Sequence, residues 1–399
     1  MSSLTQAGSG TGTQAPRRSR LVGMPLALTF MAEFTSLTSF LLLVSVMPML
    51  AVAAGASSAA AGLVTGALLA GTVIAEAAAA FAIRRFGYRV VLAAGALLLG
   101  APTLALLPRE SQAIMVAVSF ARGLGFGLCG VTTGALTARL LPPERRGEGL
   151  GLLGIVSGVP AIVALPAGVW LAGHHQATVV AAVAVITGLM PLAALGWLPG
   201  GRPGPQVSGG PVASGRGVLR LPLVFAACTA AAGVIDSFLP LARAVPSSIC
   251  PAALLVLAIT ATVSRWQAGR HGDRYGHARL LIPAIVASAL GMAVMIWLAS
   301  PAAVLAGMVL FGAGFGVVEN STFALLIEQL PEARASALWN LAYDAGYGAG
   351  PAMFGLLSPH TGYPGAFALT GVLVLAALPA ALPAARRPPA RVPSNDVTA

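Results

Sequence analysis

Charge is what this sequence has least of: 9% of its 399 residues are charged, and none is lysine. A soluble domain carries about a quarter of its residues as charges. A chain that is 57% hydrophobic and this poor in charge cannot cover a water-facing surface, so a soluble fold is excluded first. Cysteine is nearly as scarce. Cys129, Cys228 and Cys250 lie in or beside apolar runs without redox or metal spacing, which reads as three small apolar side chains rather than a disulfide framework. The five histidines include one adjacent pair, His174 and His175, and no ligand cluster, so neither a metal nor a cofactor is expected. The same shortage argues against a membrane enzyme. A net charge of +11 would suit nucleic acid only as a basic patch flanked by base-reading or stacking groups. The 23 basic residues, all arginine, instead fall in short clusters between apolar runs, and no nucleic-acid partner is expected.

What fills the sequence is a series of apolar runs, each near the roughly 20 residues needed to cross a bilayer. They are read at 22–50, 57–82, 89–108, 112–138, 149–172 and 177–199, then at 221–242, 248–268, 279–299, 301–328, 335–358 and 363–385. Residues 200–220 between the two sets are rich in Gly, Pro and Ser without apolar period, as in a flexible linker. The expected organisation is a tail at 1–20, a six-helix bundle at 21–199, the linker, a second six-helix bundle at 221–385 and a tail at 386–399. A cleaved signal has an apolar core of about 7–15 residues; the first run here is longer and is expected to stay as a span. Assigning loops alternately to two sides collects 20 arginines on one side and leaves only Arg109 and Arg243 on the other. The positive-inside rule then predicts cytoplasmic termini and linker. Arg-, Ala- and Gly-rich usage suggests a bacterial genome, and with it a multi-pass protein of the bacterial inner membrane.

One offset relates the two halves. Arg85-Phe86-Gly87 recurs as Arg274-Tyr275-Gly276, Gly123-Leu124-Gly125-Phe126-Gly127 as Gly312-Ala313-Gly314-Phe315-Gly316, and Leu141-Pro142 with Arg145 as Leu330-Pro331 with Arg334, each 189 residues on. An even number of spans per half gives both halves the same orientation, a parallel repeat about the membrane normal. The Gly-rich runs lack the strand and lysine of a phosphate loop and read as close-packing glycines.

Gly269-Arg270-His271-Gly272-Asp273-Arg274-Tyr275-Gly276 resembles the signature loop of the major facilitator superfamily. Arg122 followed by Gly123 and Gly127 resembles its span-4 arginine motif. In span 5, Gly154, Gly158, Pro160, Pro166 and Gly168 resemble the antiporter signature, with Leu165 where that signature has glycine. The resemblance covers residues 20–385. It implies an all-α membrane fold of twelve helices in two six-helix repeats, a gating loop carried by Arg85, Gly87, Gly269, Asp273, Arg274 and Gly276, and a central cavity lined by spans 1, 4, 7 and 10.

A charge held at the bilayer centre costs about 2.5–3.5 kcal/mol on an insertion scale, so each one retained suggests a task or a partner. Six stand within the predicted spans: Glu33, Glu76, Arg122, Asp236, Glu319 and Asp344. Glu33 and Arg122 lie about ten residues into oppositely running helices and are expected to face each other, either as a proton carrier tuned by its cation or as a permanent ion pair. Asp344, in the polar and aromatic stretch Trp339–Gly346, is read as proton-binding or as part of a packing knot. Asp236, Glu319, Asn320 and Asn340 are the expected substrate contacts, and Glu76 a residue that snorkels or pairs with Arg84 or Arg85. An acidic cavity, one membrane arginine and the resemblance together imply a secondary transporter, acting as a monomer, that exports a small amphipathic compound, drug or metabolite, against protons. Proton-coupled import of a small nutrient is the alternative. The expected partners are the lipid bilayer, protons and the solute.

Overall fold

Inside hydrocarbon a backbone N–H finds no water, so an apolar run must close its own hydrogen-bond ladder. Every regular element among the described residues is accordingly helical. The computed structural model describes residues 23–106, 111–141, 146–201, 218–330 and 332–385; the side chains of 146–152, 154, 155, 273, 332–334 and 383–385 fall outside that description. Both expected tails, most of the expected linker, and Pro142, Arg145 and Pro331 therefore lie outside the described residues.

The helices are α1 (Met24–Val44), α2 (Val46–Ala53), α3 (Ser58–Phe86), α4 (Tyr88–Gly100), α5 (Gln112–Leu140), α6 (Arg146–Gly173), α7 (Ala177–Leu189), α8 (Pro191–Ala194), α9 (Arg220–Phe238), α10 (Ile249–Tyr275), α11 (His277–Val294), α12 (Pro301–Ile327), α13 (Glu332–Ala376) and α14 (Leu378–Ala385). Eleven stretches of the described residues are long and apolar enough to cross a bilayer. The last contains α13, whose 45 residues would run about 68 Å at 1.5 Å per residue, against a hydrocarbon core of about 30 Å. The chain turns within it at Gly362, φ +68°, so α13 supplies two crossings and the count comes to twelve.

Proline places the breaks. Pro48 has no N–H to return to Val44, and α1 gives way to α2 at Ser45. After Gly100, with Pro102 next but one, α4 tightens into a 3-10 turn over Ala101–Leu106. Two helices outrun their expected ends: α3 continues to Phe86 and α10 to Tyr275, each stopped by a glycine in the left-handed region, Gly87 (φ +84°) and Gly276 (φ +90°). Gly269, read as part of a turn, is helical.

The sequence repeat is also a repeat of contacts. A Cβ at Gly123 would collide with the carbonyl of Leu68 and one at Gly127 with that of Thr72, while Gly125 lies against Gly95 and Leu99. Adding 189 to each number gives the corresponding contacts of the second half: Gly312 on Leu257, Gly316 on Ala261, and Gly314 against Ala284 and Ser288. Glycine here lets one helix seat on the backbone of the next, in the same way twice.

The halves meet chiefly where α3 and α13 run antiparallel. A Cβ at Gly355 would strike Ser58, one at Gly62 Pro351 and one at Gly348 Leu69. Thr65 Oγ1 and Ser237 Oγ lie 3.0 Å apart across the same seam. One apolar cluster joins Phe40, Leu69 and Leu165 of the first half to Phe225, Leu254 and Phe354 of the second. All these glycine contacts fall in the half of the bundle away from the arginine-rich loops.

Candidate functional site

Glu33 of α1 is held by hydroxyls. Its carboxylate accepts from Thr133 Oγ1 of α5 and, at 3.5 Å, from Ser157 Oγ of α6. The Thr133 hydroxyl also lies 3.0 Å from the Cys129 carbonyl, so it has a second acceptor to turn to.

Arg122 is elsewhere, and the expected Glu33–Arg122 pair does not form. Arg122 is 1% exposed; it donates to Leu99 O and Ser39 O, each at 2.7 Å, and to the hydroxyls of Thr103 and Ser39. The reason is depth. Ten residues in from opposite ends of helices this long falls on opposite sides of the middle, and the 11 residues from Arg122 to Thr133 cover about 16 Å. The Leu99 carbonyl is available because the N–H that a 3-10 turn would aim at it belongs to residue 102, a proline. Arg122 thus ties α5 to α1 and to the end of α4.

In the second half Asp236 of α9 is 8% exposed and accepts from the Tyr347 hydroxyl of α13. One and two turns back along α13 stand Tyr343, stacked on Tyr347 with centroids 5.7 Å apart, and Trp339, stacked on Phe225 at 4.5 Å and edge-on to Phe323 at 5.4 Å. The Trp339 indole N–H donates to Thr322 Oγ1 at 3.3 Å. These rings form an aromatic wall between α9, α12 and α13.

Glu319 is paired with Arg265 of α10 at 2.8 Å, the two side chains 13% and 53% exposed. Arg265 is one of the 20 arginines that the loop assignment collects on one side. It lies ten residues inside α10 because that helix runs on to Tyr275, and it cancels the acid that the sequence reading left free. Asn320, beside Glu319, has its amide nitrogen near Gly269 and a buried carbonyl oxygen with no hydrogen-bond partner among the described residues. Asn340 is exposed.

Glu76 and Asp344 come together, which the sequence reading did not anticipate: their side chains share a hydrogen bond across the seam between α3 and α13. Glu76 neither snorkels nor turns to Arg84 or Arg85. Asp344 is 6% exposed. The expected site residues therefore resolve into Glu33 with its hydroxyls, the Arg122 anchor, the Asp236–Tyr347 contact beside the aromatic wall, the Arg265–Glu319 pair and the Glu76–Asp344 pair. Of the gating set, Gly87 and Gly276 make the turns, Arg85 sits over Phe86 (5.7 Å to the ring centroid), and Arg274 closes α10; the Asp273 side chain lies outside the described residues. Two surface depressions, one including Ala67 and Phe120 and one including Ile186 and the Arg122 partner Thr103, carry no charged group.

The family profile described as Major Facilitator Superfamily matches residues 29–337. No curated protein matches the sequence. Among solved structures the chain is similar to a mutant form of the nucleoside transporter NupG (16% identity, TM-score 0.70, covering 91% of this chain and 100% of that one). It is similar as well to a D-xylose-proton symporter (16%, 0.71, 90% and 97%) and to a POT family transporter in complex with a thioalcohol-conjugated peptide (14%, 0.74, 91% and 96%). At such identities the likeness is one of fold.

Proposed function

The chain belongs to the major facilitator superfamily and is a secondary transporter, and we propose that it couples proton entry to export of a small amphipathic compound. The observation that carries proton coupling is the setting of Glu33: a carboxyl group on a cavity-lining span, contacted by hydroxyls and, among the described residues, by no cation. A hydroxyl can donate to a carboxylate and accept from a carboxylic acid. Thr133 suits both forms, because when Glu33 is neutral and donates, the Thr133 proton has the Cys129 carbonyl to go to. A guanidinium in its place would hold the group charged throughout the cycle. Glu33 can therefore load and release a proton without rebuilding its surroundings.

The aromatic wall of Phe225, Phe323, Trp339 and Tyr343 offers ring faces rather than a fan of amides, which suits an amphipathic solute better than a sugar. Asp236, Glu319, Asn320 and Asn340 are its proposed polar contacts, with Glu319 acting together with Arg265. Termini on the cytoplasmic side of a bacterial inner membrane, as the arginine distribution predicts, would give the proton its inward direction. Import is the second reading, favoured by the fold neighbours that are named as a nucleoside transporter and a D-xylose-proton symporter.

The test is internal pH in proteoliposomes under a proton gradient, with lipophilic cations, antibiotics, nucleosides and sugars added in turn, comparing wild type with Glu33→Gln. Proton flux evoked by an amphipathic compound and lost in the variant supports export by antiport. Flux evoked by a nucleoside or sugar moving with the proton selects import, and wild-type coupling in Glu33→Gln removes Glu33 from the mechanism.

A further inference from the structure

The contacts between α3 and α13 form a ladder in antiparallel register: Ser58 with Gly355, Gly62 with Pro351, Leu69 with Gly348, and Glu76 with Asp344. From Ser58 to Glu76 this covers about 27 Å of helix. The first three rungs are glycine or proline seated on backbone or aliphatic groups, and nothing in them can titrate. The last rung, nearest the arginine-rich end, is a carboxyl on a carboxyl. Gly127 of α5 backs it, with the Glu76 Cγ 3.3 Å from where a Cβ would stand. A side chain at 127 would crowd Glu76 where it reaches across the seam.

A hydrogen bond between two carboxyl groups exists only while one of them carries a proton; with both charged, the contact becomes a repulsion. Among the described residues no cation is in contact with the pair to replace that proton. On α13 the neighbouring titratable groups are Tyr343 and Tyr347, the latter donating to Asp236 of α9. On α5 they are Arg122, taken up by Ser39, Leu99 and Thr103, and Cys129, a buried thiol. On α3 they are Arg84 and Arg85, two turns further along and exposed.

We propose that Glu76 and Asp344 are coupling residues of the transport cycle, forming a latch that holds the two halves together at the arginine-rich side while it keeps one proton and parts them when that proton leaves. The glycine rungs carry nothing that titrates and stay seated while the latch parts, so loss of its proton opens the cavity toward the arginine-rich side. The latch rests on the proton coupling proposed above, but it involves neither Glu33 nor a substrate.

The experiment uses full-length protein in lipid nanodiscs, with spin labels at Ala80 of α3 and Ala337 of α13, both exposed; the three native cysteines are buried and escape labelling. Distances are measured from pH 5 to pH 9 without substrate. The expected result for wild type is a short-distance population that gives way to a long one as pH rises, by roughly tenfold per pH unit over the titrating range for a single linked proton. In Glu76→Gln and Asp344→Asn the amide donates to the remaining carboxyl without an added proton, and the short population should persist to pH 9. Glu76→Ala should favour the long population at every pH. A wild-type distance that ignores pH overturns the latch, and so does a pH response that survives in both amide variants. Glu33→Gln should leave this response intact, so failure of the Glu33 reading, seen in flux, is separable from failure of the latch, seen in distance.

Discussion

Glu76 and Arg265 occupy the same place in the two halves, 265 − 76 = 189 residues apart, and carry opposite charge. Each stands eleven residues before the glycine that stops its helix, Gly87 and Gly276. Arg265 finds Glu319 inside its own half, whereas Glu76 reaches out of its half to Asp344. The repeat therefore preserves the position and divides the work, with one copy tying a half together and the other tying the halves to each other.

Gly123→Ala and Gly312→Ala should damage the fold alike, since the added methyl meets the carbonyl of Leu68 in one half and of Leu257 in the other. Overpacking of this kind costs about 1–3 kcal/mol, to be read as a lowered melting temperature in detergent. Gly130→Ala and Gly134→Ala, where a Cβ meets open space, should melt as wild type does.

Arg122→Met should destabilise the protein without altering the pH dependence of transport. It leaves the buried carbonyls of Ser39 and Leu99 short of a donor, at about 1–3 kcal/mol for each group left unsatisfied. Unfolding by a denaturing detergent measures the first effect and proteoliposome flux the second; a shifted pH profile would restore Arg122 to the proton pathway.

Arg265→Gln should cost little stability, below about 1 kcal/mol, because the guanidinium is 53% exposed and water screens the pair. Its effect should fall on selectivity. With Glu319 uncompensated, a lipophilic cation should bind up to about fivefold more tightly, as expected for roughly 1 kcal/mol, and Arg265→Gln/Glu319→Gln should abolish the gain. Quenching of tryptophan fluorescence by titrated tetraphenylphosphonium reads both.

Thr65→Cys/Ser237→Cys should cross-link under mild oxidation, since the hydroxyl oxygens it replaces are 3.0 Å apart. Transport should stop on oxidation and return with a reductant, because alternating access requires this seam to part. Turnover that continues in the cross-linked protein would mean that the seam stays shut throughout the cycle.

The spans, their repeat and the packing role of the glycines were legible because each rests on local pattern: an apolar length, a fixed offset, a small residue at helical spacing. Partnerships across the bundle were not. Glu33 and Arg122 match in distance from their helix ends, but what decides contact is height measured from a common plane, and two antiparallel spans of 30 and 29 residues, α1 continued by α2 and α5, turn equal counts into unequal heights. Arg265 was misplaced by a helix end set at 268 by hydropathy alone; carrying Gly87 across by 189 would have moved that end to Gly276 and put Arg265 in the membrane beside Glu319. Nothing local in either helix marks Glu76 and Asp344 as partners, since that contact depends on the register with which the two halves dock.

Backbone-on-backbone seating at Gly123, Gly125 and Gly127, and again at Gly312, Gly314 and Gly316, leaves little compressible side-chain volume between those helices. Each half is then stiff within itself, and the compliance of the molecule gathers at the few rungs where α3 meets α13. Turnover speed should therefore respond to changes at those rungs, while changes at the paired glycines decide whether there is a transporter to time.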